Sequence, residues 1–119
     1  MKKIFLNLNN QTNHKIKNSD FEEIAEKTFY NKKLSFKYLI ELSIVSENRI
    51  KNYNKEFLNK DKVSDVLSFP LLKKSEIKKY DGKNPLFLGE IIICRNQPEK
   101  KFLSLFEHGL KHLLGYHHK

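Results

Sequence analysis

Cysteine is nearly absent from this sequence. Cys94 is the only one, so no disulfide can close within the chain, and a reducing compartment is expected. Long apolar runs are missing too. No stretch approaches the ~20 apolar residues of a membrane helix, and the opening MKKIFLNLNNQTNH turns polar by Asn7, too early for a signal-peptide core. A soluble, cytoplasmic protein with no membrane partner is therefore expected. Repeats, low-complexity tracts and Pro/Gly-rich linkers are also lacking, which excludes a solenoid and points to one domain over residues 1–119. A chain of that length can bury a single hydrophobic core without staples. Arginine, the better phosphate fork and base reader, occurs only as Arg49 and Arg95.

Lysine, by contrast, is abundant. The formal net charge of +9 invites a polyanionic partner, nucleic acid first. The same excess has a bland source, because lysine- and asparagine-rich composition also follows from biased codon usage. Charge alone leaves both open.

Four strands and three helices can be read along the chain. KKIFLNL puts Ile4, Leu6 and Leu8 on one face of a first strand. SDFEEIAEKTFYNKK reads as a helix capped by Ser19 or Asn18, with Phe21, Ile24, Ala25 and Thr28 sharing a face. SFKYLIELSIV alternates through Phe36, Tyr38, Ile40, Leu42 and Ile44 as a second strand. Ser46 can cap a helix to about Phe57, burying Ile50, Tyr53 and Phe57. DVLSFPLL forms a third strand whose Pro70 suits an end or an edge. A charged excursion follows, with a turn at Asp81-Gly82. LFLGEIIIC is a fourth strand, and the run Ile91, Ile92, Ile93 implies burial on both faces. After Pro98, Phe102, Leu103, Phe106, Leu110 and Leu113 recur at helical spacing. The mixture predicts an α+β fold of at most three layers.

Four of the five histidines lie in the last twelve residues, HGLKHLLGYHHK. Residues four apart on a helix lie one above the other, so His108 and His112 can converge on one ion. Gly115 can end the helix in a left-handed conformation, and the turn through Tyr116 can return His118 as a third ligand. Three neutral imidazoles leave a fourth position on Zn²⁺ for water, as in catalytic sites. The bland alternative is a run of solvated histidines. His117 reads either as solvated or as a base or ligand-orienting residue. The same H-x-x-x-H-x-x-G-x-x-H spacing serves zincin-type proteases, which carry glutamate after the first histidine; Gly109 stands there and cannot take a proton. Glu107 projects about 100° away. Peptidase chemistry is disfavoured.

The sequence resembles the YbeY family of bacterial endoribonucleases, or rRNA maturation factors. HGLKHLLGYHH matches that family's H-G-x-L-H-L-x-G-Y-D-H, VSDVLSFP matches T-D-V-L-S-F-P, and LGEIII matches L-G-D-I, in the same order along nearly the whole chain. The resemblance implies an α+β domain with a mixed four-stranded sheet and a metal cleft on the C-terminal helix. It also implies a zinc-dependent, single-strand-specific endoribonuclease acting on small-subunit rRNA at its 3′ end and in ribosome quality control. Four departures stand out: Lys111 replaces a leucine, His117 an aspartate, Leu58 an arginine that contacts substrate, and the stretch before His108 is short.

Phosphodiester hydrolysis needs a metal-bound nucleophile or Lewis acid, and cations to absorb charge. His108, His112 and His118 are the expected ligands of one zinc ion. Lys55, Lys60 and Lys62 are the candidate RNA contacts, against the ordinary reading of a solvated lysine loop. Asp65 and Ser68, with His117, are the candidate catalytic residues; the plain alternatives are a turn aspartate and a strand serine. Glu90 is an edge carboxylate or a pocket base, and Cys94 a small core residue. A ribosome-assembly factor with a structural metal is the competing expectation, and the oligomeric state is left open.

Overall fold

The chain runs β1 (Ile4–Asn10), α1 (Asn18–Thr28), β2 (Tyr38–Val45), α2 (Glu47–Leu58), β3 (Val66–Pro70), β4 (Leu86–Cys94) and α3 (Glu99–Leu113). This computed structural model describes residues 4–29, 37–72 and 85–115. The strands lie in the order β1-β2-β4-β3. β1, β2 and β4 are parallel neighbours, and β3 runs antiparallel to β4 along the edge. The sheet is thus mixed, and the fold is α+β, with four strands and three helices among the described residues, as the sequence predicts. Phe36, expected in β2, and the turn at Asp81-Gly82 lie outside the described residues. Among the described residues no helix is long and apolar enough to cross a membrane.

The unbroken apolar run in β4 explains the layering. Successive strand residues point to opposite faces, so Ile91 and Ile93 enter one core while Ile92 and Cys94 enter another. The first core is closed by Phe21 and Ala25 of α1 and by Phe102, Phe106, Leu110 and Leu113 of α3. The second is closed by Ile50 of α2 with Leu67. Each fully buried isoleucine contributes about 1.5–3 kcal/mol, which anchors β4 from both sides. Three layers result: α1 and α3, the sheet, then α2.

Two local expectations need correction. Neither Ser19 nor Asn18 caps α1; Lys17 occupies the cap position without a side-chain bond. The Asn18 amide instead donates to the Leu6 carbonyl at 3.1 Å, tying the helix to β1. Ser46 does cap α2, its Oγ accepting from the Arg49 N–H at 3.3 Å. The second correction is Phe57, expected in the core but exposed. It sits in the last turn of α2, over the five-residue edge strand β3, where too little sheet remains to cover it.

Gly89 fixes how closely α3 approaches the sheet. The register of β2 on β4 slips here, leaving an extra residue on β4, and Gly89 has φ +142°. A Cβ there would stand 2.4 Å from the Phe69 carbonyl oxygen and 2.9 Å from Leu113 Cδ2. Only glycine lets β3, β4 and the end of α3 meet at this point.

Candidate metal centre

α3 turns its apolar stripe inward, burying Phe102, Phe106, Leu110 and Leu113. The row beside that stripe carries His108 and His112. Their Nε2 atoms are 3.3 Å apart, with ring centroids 4.8 Å apart and ring planes at 72°. Two nitrogens bound to one tetrahedral zinc at about 2.0–2.1 Å would stand about 3.3–3.4 Å apart. The pair therefore fits two ligands of such an ion, although an N–H···N bond between neutral rings uses a similar separation. His108 is exposed and His112 half-buried, so the edges that converge are open to solvent. Gly115 has φ +84° and its N–H donates to the His112 carbonyl at 3.0 Å, closing the helix as predicted. His117 and His118 lie outside the described residues. Among the described residues no three His, Cys, Asp or Glu side chains gather.

Gly109 sets the position of this pair. An added Cβ would meet Ile91 Cγ2 at 2.9 Å, so the missing side chain lets the helix rest directly on β4. Lys111, where the resembled family has leucine, is only half-buried and pairs with Glu107 across one turn at 3.4 Å. The position thus accepts a charge without burying it, and Glu107 is directed to that lysine.

Ser68 pairs with Ile91 across β3 and β4, the residue on which Gly109 rests. Cross-strand partners share a face, so Ser68 stands on the α3 side of the sheet. Asp65 enters β3 three residues earlier. Its Oδ1 accepts from Gln97 Nε2 at 2.7 Å and its carbonyl from the Cys94 N–H at 2.8 Å, which ties it to the turn leading into α3 and not to either described histidine. Cys94 is buried, as expected of a small core residue.

The lysines belong to the α2 side. The Asn54 amide nitrogen donates to the Lys62 carbonyl and to Ser64 Oγ, both at 2.9 Å. The Lys60 N–H donates to the Asn54 carbonyl at 2.9 Å, so one buried asparagine holds the loop carrying Lys60 and Lys62. Lys55 approaches Asp61 at 4.0 Å. Leu58, at the expected arginine position, is exposed.

Sequence reasoning left Glu90 open and missed its neighbours. Glu90 pairs with Glu41 on one side and Phe69 on the other. Burial raises its carboxyl above the ordinary value, and the charge of Glu41 adds to the effect. With Tyr53, Phe57 and Phe69 it lines a cavity of about 250 Å³. The helical spacing that suggested a buried Phe57 also carried this aromatic group, but nothing local said it would be left uncovered.

The family model described as Endoribonuclease YbeY matches residues 7–119. The chain is 34% identical to Endoribonuclease YbeY of Mycoplasma mobile, over 95% of this chain and 80% of that protein. It is 38% identical to the Staphylococcus epidermidis protein of the same name, over 87% and 76%. With that of Mycoplasmopsis synoviae it shares 37% identity over 73% of this chain and spans only 61% of the relative's length. A solution structure of a Thermotoga maritima protein covers 98% of this chain and 75% of its own at 26% identity, with a TM-score of 0.48.

Proposed function

The chain belongs to the endoribonuclease YbeY family, and from that membership we propose that it is a metal-dependent endoribonuclease that cuts single-stranded RNA. Its substrate is the small-subunit ribosomal RNA near the 3′ end, its setting ribosome maturation and quality control in the cytoplasm. The supporting observation is the pair of imidazoles on α3, with Nε2 atoms 3.3 Å apart one turn before a left-handed glycine. His108, His112 and His118 are the proposed ligands of one zinc ion. Bound there, zinc supplies a Lewis acid for a phosphoryl oxygen and lowers the pKa of a coordinated water.

The chain's own residues do the rest. α3 is fixed against β4 through Gly109 and Leu113, so His108 and His112 are held by a rigid element, as a preorganised site requires. Ser68, on the same side of the sheet, is proposed to orient the scissile phosphate through its hydroxyl. Asp65, bonded to Gln97, is proposed to steady the loop beside it. His117 is proposed to take up or return a proton at a ring nitrogen. Lys55, Lys60 and Lys62 are proposed to neutralise backbone phosphates.

A second reading rests on Leu58. Leucine cannot give phosphate the planar fork that arginine offers, so an RNA-binding assembly factor with a structural metal and little cleavage fits the same fold. One experiment separates the two. The purified protein is assayed for metal content and for cleavage of single-stranded RNA before and after chelation and zinc restoration. Cleavage that disappears and returns with the metal supports the nuclease; bound metal and RNA affinity without cleavage support the assembly factor. Protein that neither contains nor takes up metal refutes the site.

A further inference from the structure

We propose that Tyr53, Phe57 and Phe69 form a stacking subsite for one unpaired base of single-stranded RNA, on the face of the sheet opposite the histidines. The inference rests on the reading of the protein as one that acts on RNA, and adds to it where the strand is gripped. Among the described residues, the large hydrophobic side chains left exposed are Phe57 at 58%, Leu58 at 43%, Val63 at 45% and Leu71 at 60%. All four fall within the fifteen-residue span 57–71, bordering β3. Scattered exposed apolar groups need no explanation, but a concentration along one edge marks an interaction surface.

The rings have the order that stacking needs. Tyr53 and Phe57 are stacked, with centroids 5.9 Å apart and planes at 25°. Phe69 meets Phe57 edge-on at 5.7 Å and 65°. Two cavities border this pair. One, of about 250 Å³, is shared with Phe69 and Glu90; the other, of about 270 Å³, is bounded by Arg49, Asn52 and Glu56. A base laid on the open face of Phe57 gains π contact whatever its identity. The Glu90 carboxyl at the inner wall can accept a base N–H, the hydrogen bond that edge recognition uses.

Charge decides between RNA and a protein partner. Lys55 lies on the same helix as Tyr53 and Phe57, and Lys60 and Lys62 on the loop that follows it. Protein–protein interfaces are depleted in lysine, whereas aromatic platforms flanked by cations are the usual arrangement for single-stranded nucleic acid.

The test uses the full chain in EDTA, so that binding is read without cleavage, with a fluorescein-labelled single-stranded 12-mer and its duplex as probes. Phe57→Ala should weaken single-strand binding about five- to 150-fold, the amount one stacked base contributes, with the salt dependence unchanged because no phosphate contact is lost. The chain has no tryptophan, so Phe57→Trp introduces a single reporter. Its emission should be quenched by the single strand and not by the duplex, with affinity retained. Both variants are checked by circular dichroism; a Phe57→Ala that failed to fold would leave the tryptophan signal to decide. If the parent binds the 12-mer and neither readout changes, the subsite is wrong while the RNA reading stands, and the patch is a protein contact. If the parent does not bind RNA at all, both fall.

Discussion

Gly109→Ala sets two opposing effects against each other. In an exposed helix, alanine in place of glycine stabilises by about 0.8–1 kcal/mol. Here the new methyl would stand 2.9 Å from Ile91 Cγ2 and 3.3 Å from Cγ1. Ile91 is fully buried and, being β-branched, is stiff about χ1, so the contact cannot be relieved by a simple rotation. Overpacking of this kind costs about 1–3 kcal/mol, leaving a net loss of about 1 kcal/mol. The helix should also lift from β4 by a few tenths of an ångström, carrying His108 and His112 with it. Urea unfolding of the metal-free protein measures the first effect, and zinc titration against a competing chelator the second. In an Ile91→Ala background the clash is gone, and the same substitution should become neutral or stabilising, a coupling of about 1 kcal/mol or more. A Gly109→Ala variant about 1 kcal/mol more stable than the parent, with unchanged zinc affinity, would show that close contact does not position the histidines.

His112→Ala should weaken or abolish zinc binding and reduce RNA cleavage sharply while single-strand RNA affinity persists; elemental analysis, cleavage and anisotropy on folded protein check this, and equal cleavage by the metal-free variant would assign the nuclease to another site. Replacing Lys55, Lys60 and Lys62 with glutamate should do the reverse, lowering RNA affinity and the slope of log affinity against log salt while zinc content stays the same. Leu58→Arg should raise cleavage of single-stranded RNA by restoring a phosphate fork at an exposed position; a folded, zinc-loaded variant that no longer cuts would mean the groove is built differently here. Glu90, raised above 4.5 in the folded protein by burial and by Glu41, gives stability that is full below the unfolded value and lost as pH rises through the folded one. Glu90→Gln should therefore gain more over the parent at pH 7 than at pH 4 in urea melts, and an equal gain at both would refute the assignment.

Local patterns carried most of the fold. The run Ile91-Ile92-Ile93 required a strand covered on both sides, and the two cores on either side of β4 follow from it. Ser46 was legible as a cap because its bond to Arg49 spans three residues. Asn18 was not, because its partner, the Leu6 carbonyl, is twelve residues away on a strand. Gly89 could have been read as a bulge, since a glycine inside a strand often marks one. Its actual neighbours, Phe69, Pro70 and Leu113, come from an antiparallel strand and a helix that no local pattern aligns. Phe57 failed for a related reason. Helical spacing says which residues share a face but not how far the surface beneath extends, and β3 supplies only five residues of it.

The same division runs through the proposed site. The imidazole pair was legible because one helix builds it, whereas the relation between the proposed metal face and the proposed RNA face depends on the edge strand. Alternation along β3 sends Ser68 towards α3 and Phe69 towards α2, so adjacent residues serve opposite sides of the sheet. No further strand covers β3 on its outer side among the described residues. On the proposed reading, a single RNA strand that passes over that edge can stack a base on Phe57 and present a phosphate several nucleotides along to the histidine face. A duplex keeps its bases paired and stacked within the helix and cannot lay one on Phe57. Preference for single strands would then come from the aromatic platform as much as from the chemistry of the metal.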